Sequence, residues 1–262
     1  MELGLTGKVA LITGGSRGFG RAIAQTLAAE GADVALLART APEVRAAAEE
    51  IARGTGRRVL PAVADVRDEA AVEAAVQRVV GELGRLDVVV NSAGGAPVYG
   101  PLDAPEGVWR DSLETKLLGT VRVSTAAVPH LRRAGGGAIL HIVGAAGKDP
   151  FPLLTINSVI NAGLLAYTKC LADAVARDHI RVVALSPGAA ETGLLGSMAE
   201  GIAKATGAPV EAVLTQMRAS PLGRLPAADE VAACVAFLVS ARAAMITGTS
   251  LEIDAGGKRG LA

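Results

Sequence analysis

The chain is short of most of what marks a secreted, metal-binding or nucleic-acid-binding protein. Aromatic residues make up 2% of its 262 residues: one Trp, two Tyr and three Phe. Any pocket it forms is therefore expected to be largely aliphatic. Cysteine occurs twice, as Cys170 and Cys234, far apart and each inside a helical pattern. That spacing excludes a disulfide framework and predicts two small core residues in a reducing compartment. Histidine occurs three times, and no His, Cys, Asp and Glu cluster has metal-ligand spacing, so no metal is expected. Charge of one sign is not in excess: Lys plus Arg and Asp plus Glu number 26 each, which argues against a basic nucleic-acid surface and an acidic tail. No apolar run approaches the ~20 residues of a membrane helix. Met1-Glu2-Leu3-Gly4-Leu5 has neither a basic n-region nor an apolar h-region, so a cytoplasmic protein is expected.

Half of the residues are hydrophobic, enough for a large core. They fall into short apolar runs separated by helical periods. Strands are predicted at Val9–Ile12, Val34–Ala38, Val59–Val63, Leu86–Val90, Ala138–Val143, Ile180–Leu185 and Leu251–Asp254. Helices are predicted from Pro42 to Ala52, from Pro105 to Arg133 with a break near Gly119, and from Ser158 to Arg177. Val72, Ala75, Val76, Val79 and Val80 add a further helical face. Near-continuous apolar strands alternating with helices predict one α/β domain over 1–262, a doubly wound parallel sheet of about seven strands covered on both faces. The irregular stretch 189–221 follows a strand end, where open α/β sheets bind substrates. It reads as a substrate lid or as a surface helix pair.

The first strand runs into Thr13-Gly14-Gly15-Ser16-Arg17-Gly18-Phe19-Gly20, followed by a helical face of Ala22, Ile23 and Leu27. A glycine turn between a strand and a helix lets backbone N–H groups approach a phosphate, and the helix dipole favours negative charge there. Position in the first βαβ unit points to the pyrophosphate of a dinucleotide. The spacing resembles the TGxxxGxG turn of the short-chain dehydrogenase/reductase family, and the likeness extends along nearly the whole chain. Asp65-Val66 matches the family's adenine-side pair. Asn91-Ser92-Ala93-Gly94 matches its NNAG motif, with Ser in the second place. Pro187-Gly188 with Thr192 matches the segment at the nicotinamide carboxamide. Ile246-Thr247-Gly248 and Asp254-Ala255-Gly256-Gly257 match its C-terminal strand. The resemblance implies a Rossmann-type fold and cofactor contacts at Gly14, Ser16, Arg17, Gly18, Phe19, Gly20, Asp65, Val66, Asn91, Ala93, Gly94, Pro187, Gly188 and Thr192. NAD-binding relatives end the second strand with a carboxylate for the ribose 2′-OH. Here that place holds Ala38, followed by Arg39. A guanidinium at Arg39, with Arg17 nearby, suits a 2′-phosphate, so NADP(H) is expected over NAD(H).

The family's carbonyl chemistry uses a Ser to polarise the carbonyl, a Tyr as acid, a Lys that lowers the Tyr pKa, and an Asn on the preceding helix. At the matching positions stand Gly144, Asn157, Asn161 and Lys116. An amide does not act as a Brønsted acid near neutral pH, so Asn157 can hydrogen-bond an oxyanion but not protonate it. A lysine desolvated in a pocket has a lowered pKa and can serve as an acid. Lys116, pointing inward, would then supply the charge missing at Asn161. His141 is expected to be a packed, hydrogen-bonded histidine on the other side of the pleat from Gly144. Tyr167 and Lys169 are expected to pack, Tyr99 to line the substrate pocket, and His130 and His179 to lie at the surface.

Three readings follow: an NADP(H)-dependent oxidoreductase of a small carbonyl or alcohol with an atypical site, a non-catalytic NADP(H)-binding regulator, and a non-redox isomerase or lyase. The expected partners are a small-molecule substrate and copies of the same chain, with no nucleic acid and no membrane. The family resemblance implies a homotetramer using Leu164, Leu165, Ala166, Leu171, Ala172 and Val175 for core and interface.

Overall fold

The computed structural model describes residues 2–258. Strands β1 (Val9–Thr13), β2 (Asp33–Ala38), β3 (Val59–Val63), β4 (Val88–Asn91), β5 (Gly137–Ile142), β6 (Ile180–Pro187) and β7 (Thr249–Ile253) form one parallel sheet in the order β3-β2-β1-β4-β5-β6-β7. The order reverses between β1 and β4, which opens a crevice at the C-terminal ends of those strands.

Successive strand residues bury on opposite faces, which is why the strands read as continuous apolar runs rather than alternating ones. On β1, Ala10 and Ile12 pack with Ile23, Ala24 and Leu27 of α1 (Gly18–Ala29), with α2 (Ala41–Thr55), and with Val231 and Val235 of α9 (Ala228–Val239). Val9 and Leu11 pack on the other face with α3 (Glu69–Leu83), α5 (Gly119–Arg133) and α6 (Thr155–Val175). Truncating a fully buried side chain such as Ile12 to Ala would cost ~2–5 kcal/mol, combining the transfer loss with the cavity left behind.

Local chemistry sets the helix ends. Asp68 caps α3 by accepting the Ala71 N–H at 3.0 Å, and Gly84 ends it at a positive φ of 90° that a side chain would resist. The predicted break near Gly119 is a π-helical segment over Leu113–Leu118, set between α4 (Glu106–Ser112) and α5. Helix α6 starts three residues before the predicted Ser158. With the turn that follows, it is long and apolar enough by composition to cross a membrane. Here its Ile156, Ile160, Leu164, Ala172 and Val175 are buried against the sheet layer.

The stretch 189–221 holds two helices, α7 (Gly193–Thr206) and α8 (Val210–Arg218), which share a small core of Ala199, Ala203 and Val213. Two packing expectations need correction. Cys170 is exposed and Cys234 is half-buried. Lys169 is exposed and pairs with Asp173 at 2.6 Å. Helix α6 is apolar around most of its circumference, so its period does not mark which side faces the sheet.

Candidate active site

Because every strand is parallel, the loops following β1, β2, β3, β4 and β6 open at the same edge of the sheet. The β1–α1 loop is the most constrained of them. A Cβ on Gly20 would lie 2.3 Å from the Gly14 carbonyl oxygen, so only glycine fits there. Gly14 and Gly18 hold positive φ angles of 67° and 55°. Arg17 is the extended N-cap of α1 but makes no side-chain cap, and the first turn carries no acidic residue. The N–H groups of that turn lack intrahelical acceptors and face the crevice edge as an anion site. Thr13 accepts the N–H groups of Ser92 at 2.9 Å and Ala93 at 3.0 Å, locking the loop after β4 beside the glycine turn. These residues fit a dinucleotide pyrophosphate.

At the adenosine end, Ala38 closes β2, and the Arg39 side chain is 58% exposed. Val66 is buried, while Asp65 beside it pairs with Arg67 at 2.8 Å. Hydrogen bonds from Arg67 hold the Asp65 carboxyl below the ordinary carboxylate range. At the other end, Gly188 donates its N–H to the Ile253 oxygen at 3.1 Å. A Cβ on Gly188 would lie 2.9 Å from the Asp254 Cβ. Thr192 is the extended N-cap of α7, and its hydroxyl does not cap that helix.

The remaining group lies between β5, the π segment and α6. A π segment carries an extra residue per turn and redirects the side chains it holds. Here it turns Lys116 inward, where the residue is 8% exposed. The Lys116 ammonium donates to the Val143 oxygen at 2.6 Å and to Asn161 Oδ1 at 2.7 Å. Burial pulls the Lys116 pKa down from 10.5 to about 8. Gly94, at a φ of 98°, packs its backbone onto the lysine stem, and a Cβ there would be 2.9 Å from the Lys116 Cβ. Gly144 follows β5 at a φ of 122°, and a Cβ there would be 2.8 Å from Asn161 Nδ2. Asn161 thus fills the space a side chain at position 144 would take.

Asn157, one turn earlier on α6, does not join this group through hydrogen bonds. Its Oδ1 accepts the Ala96 N–H at 3.1 Å, and its Nδ2 donates to the Ala96 oxygen at 2.9 Å. Next to this latch, Tyr99 donates its N–H to the Leu153 oxygen at 3.0 Å and forms a short parallel bridge with Leu154. Tyr99 and Trp109 pack with Val143, Ile156 and Ile160 around the catalytic end, where most neighbours are aliphatic.

Comparisons with known proteins identify the family. A family model described as enoyl-(acyl carrier protein) reductase matches residues 14–258. The chain belongs to the short-chain dehydrogenase/reductase family. It is 37% identical over 257 residues to the oxidoreductase UcpA of Escherichia coli, covering 96% of this chain and 95% of that one. It is 31% identical over 252 residues to the 3-oxoacyl-[acyl-carrier-protein] reductase FabG of Chlamydia muridarum, covering 96% and 98%. The L-sorbose reductase of Gluconobacter frateurii, solved with NADPH and L-sorbose, matches with a TM-score of 0.92, 33% identity and full coverage of both chains. The seven-stranded sheet is therefore the Rossmann-type fold of this family.

Within that family frame, Gly14, Ser16, Arg17, Arg39, Asp65, Val66, Asn91, Ala93, Gly94, Pro187, Gly188 and Thr192 lie at the C-terminal ends of strands or in the loops that follow them, and Gly18, Phe19 and Gly20 form the first turn of α1. Asn91 donates from Nδ2 to the Ser124 hydroxyl at 3.1 Å. His141 is fully buried, as expected, 2.9 Å from the Thr168 hydroxyl and 3.4 Å from that of Ser124. Thr168 donates its own proton to the Leu164 oxygen at 2.7 Å, so His141 Nδ1 carries the hydrogen. Tyr167 stacks on the His141 ring at 5.7 Å. Arg67, not among the expected site residues, puts a second guanidinium at the adenosine end two places after Asp65.

Proposed function

We propose that this chain is an NADP(H)-dependent oxidoreductase acting on a small carbonyl or alcohol through a catalytic centre rebuilt around Lys116. The carrying observation is the Lys116 ammonium, bound to Val143 O and Asn161 Oδ1, with Asn161 occupying the space beside Gly144. These are the positions where the family resemblance expects Asn, Lys and Ser.

Gly14, Ser16, Arg17, Gly18, Phe19 and Gly20 would hold the pyrophosphate. Arg39 and Arg17 would hold a 2′-phosphate, Asp65 and Val66 the adenine side, Asn91, Ala93 and Gly94 the middle of the crevice, and Pro187, Gly188 and Thr192 the nicotinamide end. NADPH in the L-sorbose reductase supports this choice. When bound, the nicotinamide supplies or accepts the hydride. This chain's own residues do the rest. An ammonium offers three N–H donors, and Lys116 uses two of them on Val143 and Asn161. The third is available to a developing oxyanion, and its proton can pass to that oxygen from Nζ. Asn161 Nδ2 offers a neutral donor on the Gly144 side. Asn157 positions the loop after β4 through Ala96 instead of touching the substrate.

The latch of Asn157 onto Ala96 is also the observation that favours the competing reading, a non-catalytic NADP(H)-binding regulator, because it engages both ends of that amide. The test is NADPH consumption over a panel of ketones, enones and imines, beside NADPH binding. Turnover abolished by Lys116→Met with binding retained supports the enzyme. Tight binding with no turnover on any substrate supports the regulator. The same proposal includes a homotetramer built on α6 and the helical stretch that carries Lys116, where Val159 and Leu118 are exposed. Light scattering that gave a monomer would overturn it.

A further inference from the structure

Asp65 places a carboxylate next to the guanidinium proposed to receive a 2′-phosphate: its Oδ2 lies 4.0 Å from Arg39 Nη1. An uncompensated carboxylate there would compete for Arg39 and repel the incoming phosphate. Arg67 meets it instead. The Arg67 backbone N–H donates to Asp65 Oδ1 at 3.0 Å, Nε lies 3.2 Å and 3.1 Å from the two oxygens, and Nη2 donates to Oδ2 at 2.8 Å. Asp111 on α4 fixes the far side of the guanidinium, accepting from Arg67 Nη1 at 2.6 Å. The arrangement is a planar fork on a carboxylate, held at its back by a second one. Val66 ties the same loop to the catalytic side, since a Cβ on Gly119 would come within 2.8 Å of its Cγ2.

We infer that Arg67 is a cofactor-specificity residue that acts through Asp65: by taking up that carboxylate it leaves Asp65 only a long, 4.0 Å ion pair with Arg39, which a 2′-phosphate can displace. The inference rests on the NADP(H) reading. Arg67 is thus a positioning residue, and it should govern discrimination between two dinucleotides rather than affinity for both.

The test is a binding cycle on the full chain. The dissociation constants of NADPH and NADH are measured by nicotinamide fluorescence, and those of adenosine 2′,5′-bisphosphate and AMP by calorimetry. Arg67→Met is expected to lower the preference for the 2′-phosphorylated member of each pair by about tenfold, the scale of one added like-charge contact at a partly screened site. Arg67→Lys keeps the charge and should retain most of the preference. Asp65→Asn combined with Arg67→Met should recover it, because no carboxylate remains to be neutralised. Asp111→Asn should leave it in place. Equal weakening of both members by Arg67→Met, or no recovery in the double variant, overturns the inference while the cofactor reading stands. A wild-type chain that binds NADH as tightly as NADPH overturns the cofactor reading and this inference with it.

Discussion

Replacing Lys116 with Met separates catalysis from stability in a way the structure makes quantitative. The side chain keeps its length and loses its charge. If the ammonium is the proton source, kcat at neutral pH should fall by about 10²–10⁴-fold, the usual cost of a positioned acid. NADPH affinity should hold, since the lysine binds Val143 and Asn161 rather than the phosphate cradle. The wild-type rate of carbonyl reduction should decline above pH about 8, where the ammonium loses its proton, and the variant's residual rate should lack that alkaline limb. Stability follows from the same group. The folded pKa lies below the unfolded value, so the fold bears the full cost of the buried charge at pH below about 8. Between about 8 and 10.5 the folded chain has released the proton and the unfolded chain still holds it, so stability rises with pH across that window. The difference corresponds to ~3 kcal/mol. Lys116→Met removes this cost but strands two acceptors, at ~1–3 kcal/mol each. The two effects oppose each other, ~3 kcal/mol gained against ~2–6 kcal/mol lost, so the variant should melt at or below wild type at neutral pH and lose the alkaline gain. Denaturant melts and kcat measured together across the pH range check both halves. An unchanged kcat, or an alkaline limb that survives in the variant, refutes the role of Lys116 as acid.

Gly20→Ala would press a methyl group to within 2.3 Å of the Gly14 oxygen; it should open the glycine turn and abolish detectable NADPH binding by fluorescence titration. Gly144→Ser should not bring back a carbonyl-polarising hydroxyl. It forces an L-residue to a φ of 122° and a Cβ to 2.8 Å from Asn161 Nδ2, so a stability loss of ~1–3 kcal/mol and a lower kcat are expected. Asn157→Ala removes both hydrogen bonds to Ala96 and should raise KM more than it lowers kcat, because the loop after β4 loses its latch. Burial lowers the His141 pKa from 6.5 to about 3, so the fold keeps this ring neutral. The linked stability is complete above pH 6.5 and is lost as pH falls toward 3, about 2 kcal/mol of it by pH ~5. His141→Gln should flatten that acid slope in denaturant melts, and an unchanged slope would assign it to other groups.

The cofactor half of the site was legible in the sequence because its constraints are local and fall on glycine. Gly14 and Gly18 need positive φ, and Gly20 must lack a Cβ because the chain folds back within six residues. Such requirements leave the same letters at the same spacing wherever a strand, turn and helix bind a phosphate. The register also singled out Lys116, Gly144 and Asn161, which the structure brings together, and Asn157, which bonds Ala96 instead. Their partners were not legible. Lys116 reaches Val143 and Asn161 across 27 and 45 residues of sequence, and Asn157 reaches Ala96 across 61. Contacts at that separation are set by packing of the π segment against β5 and α6, and no periodicity announces them. Helices α7 and α8 match the helix-pair reading of 189–221, but their bounds were not legible: their core is built from Ala199, Ala203 and Val213, and small residues give a weak apolar stripe.

On the proposed reading, the catalytic end is rebuilt around Lys116 rather than decayed. Random loss of a Ser, a Tyr and a Lys would leave a hole or stranded polar groups, each at a cost of ~1–3 kcal/mol. Here the changes fit one another. A side chain at 144 would collide with the Asn161 amide, so Gly144 makes room for Asn161. Asn161 is then placed to accept from Lys116, and the π segment turns Lys116 inward to reach it. Gly94 lets the lysine stem pass beneath the loop after β4, which a Cβ would block. Asn157 meanwhile has both ends of its amide satisfied by Ala96. Together these contacts keep a desolvated cation at the end of the crevice, with no side-chain carboxylate hydrogen-bonded to it among the described residues. On the proposed reading, that cation is kept for work on an oxygen that becomes negative.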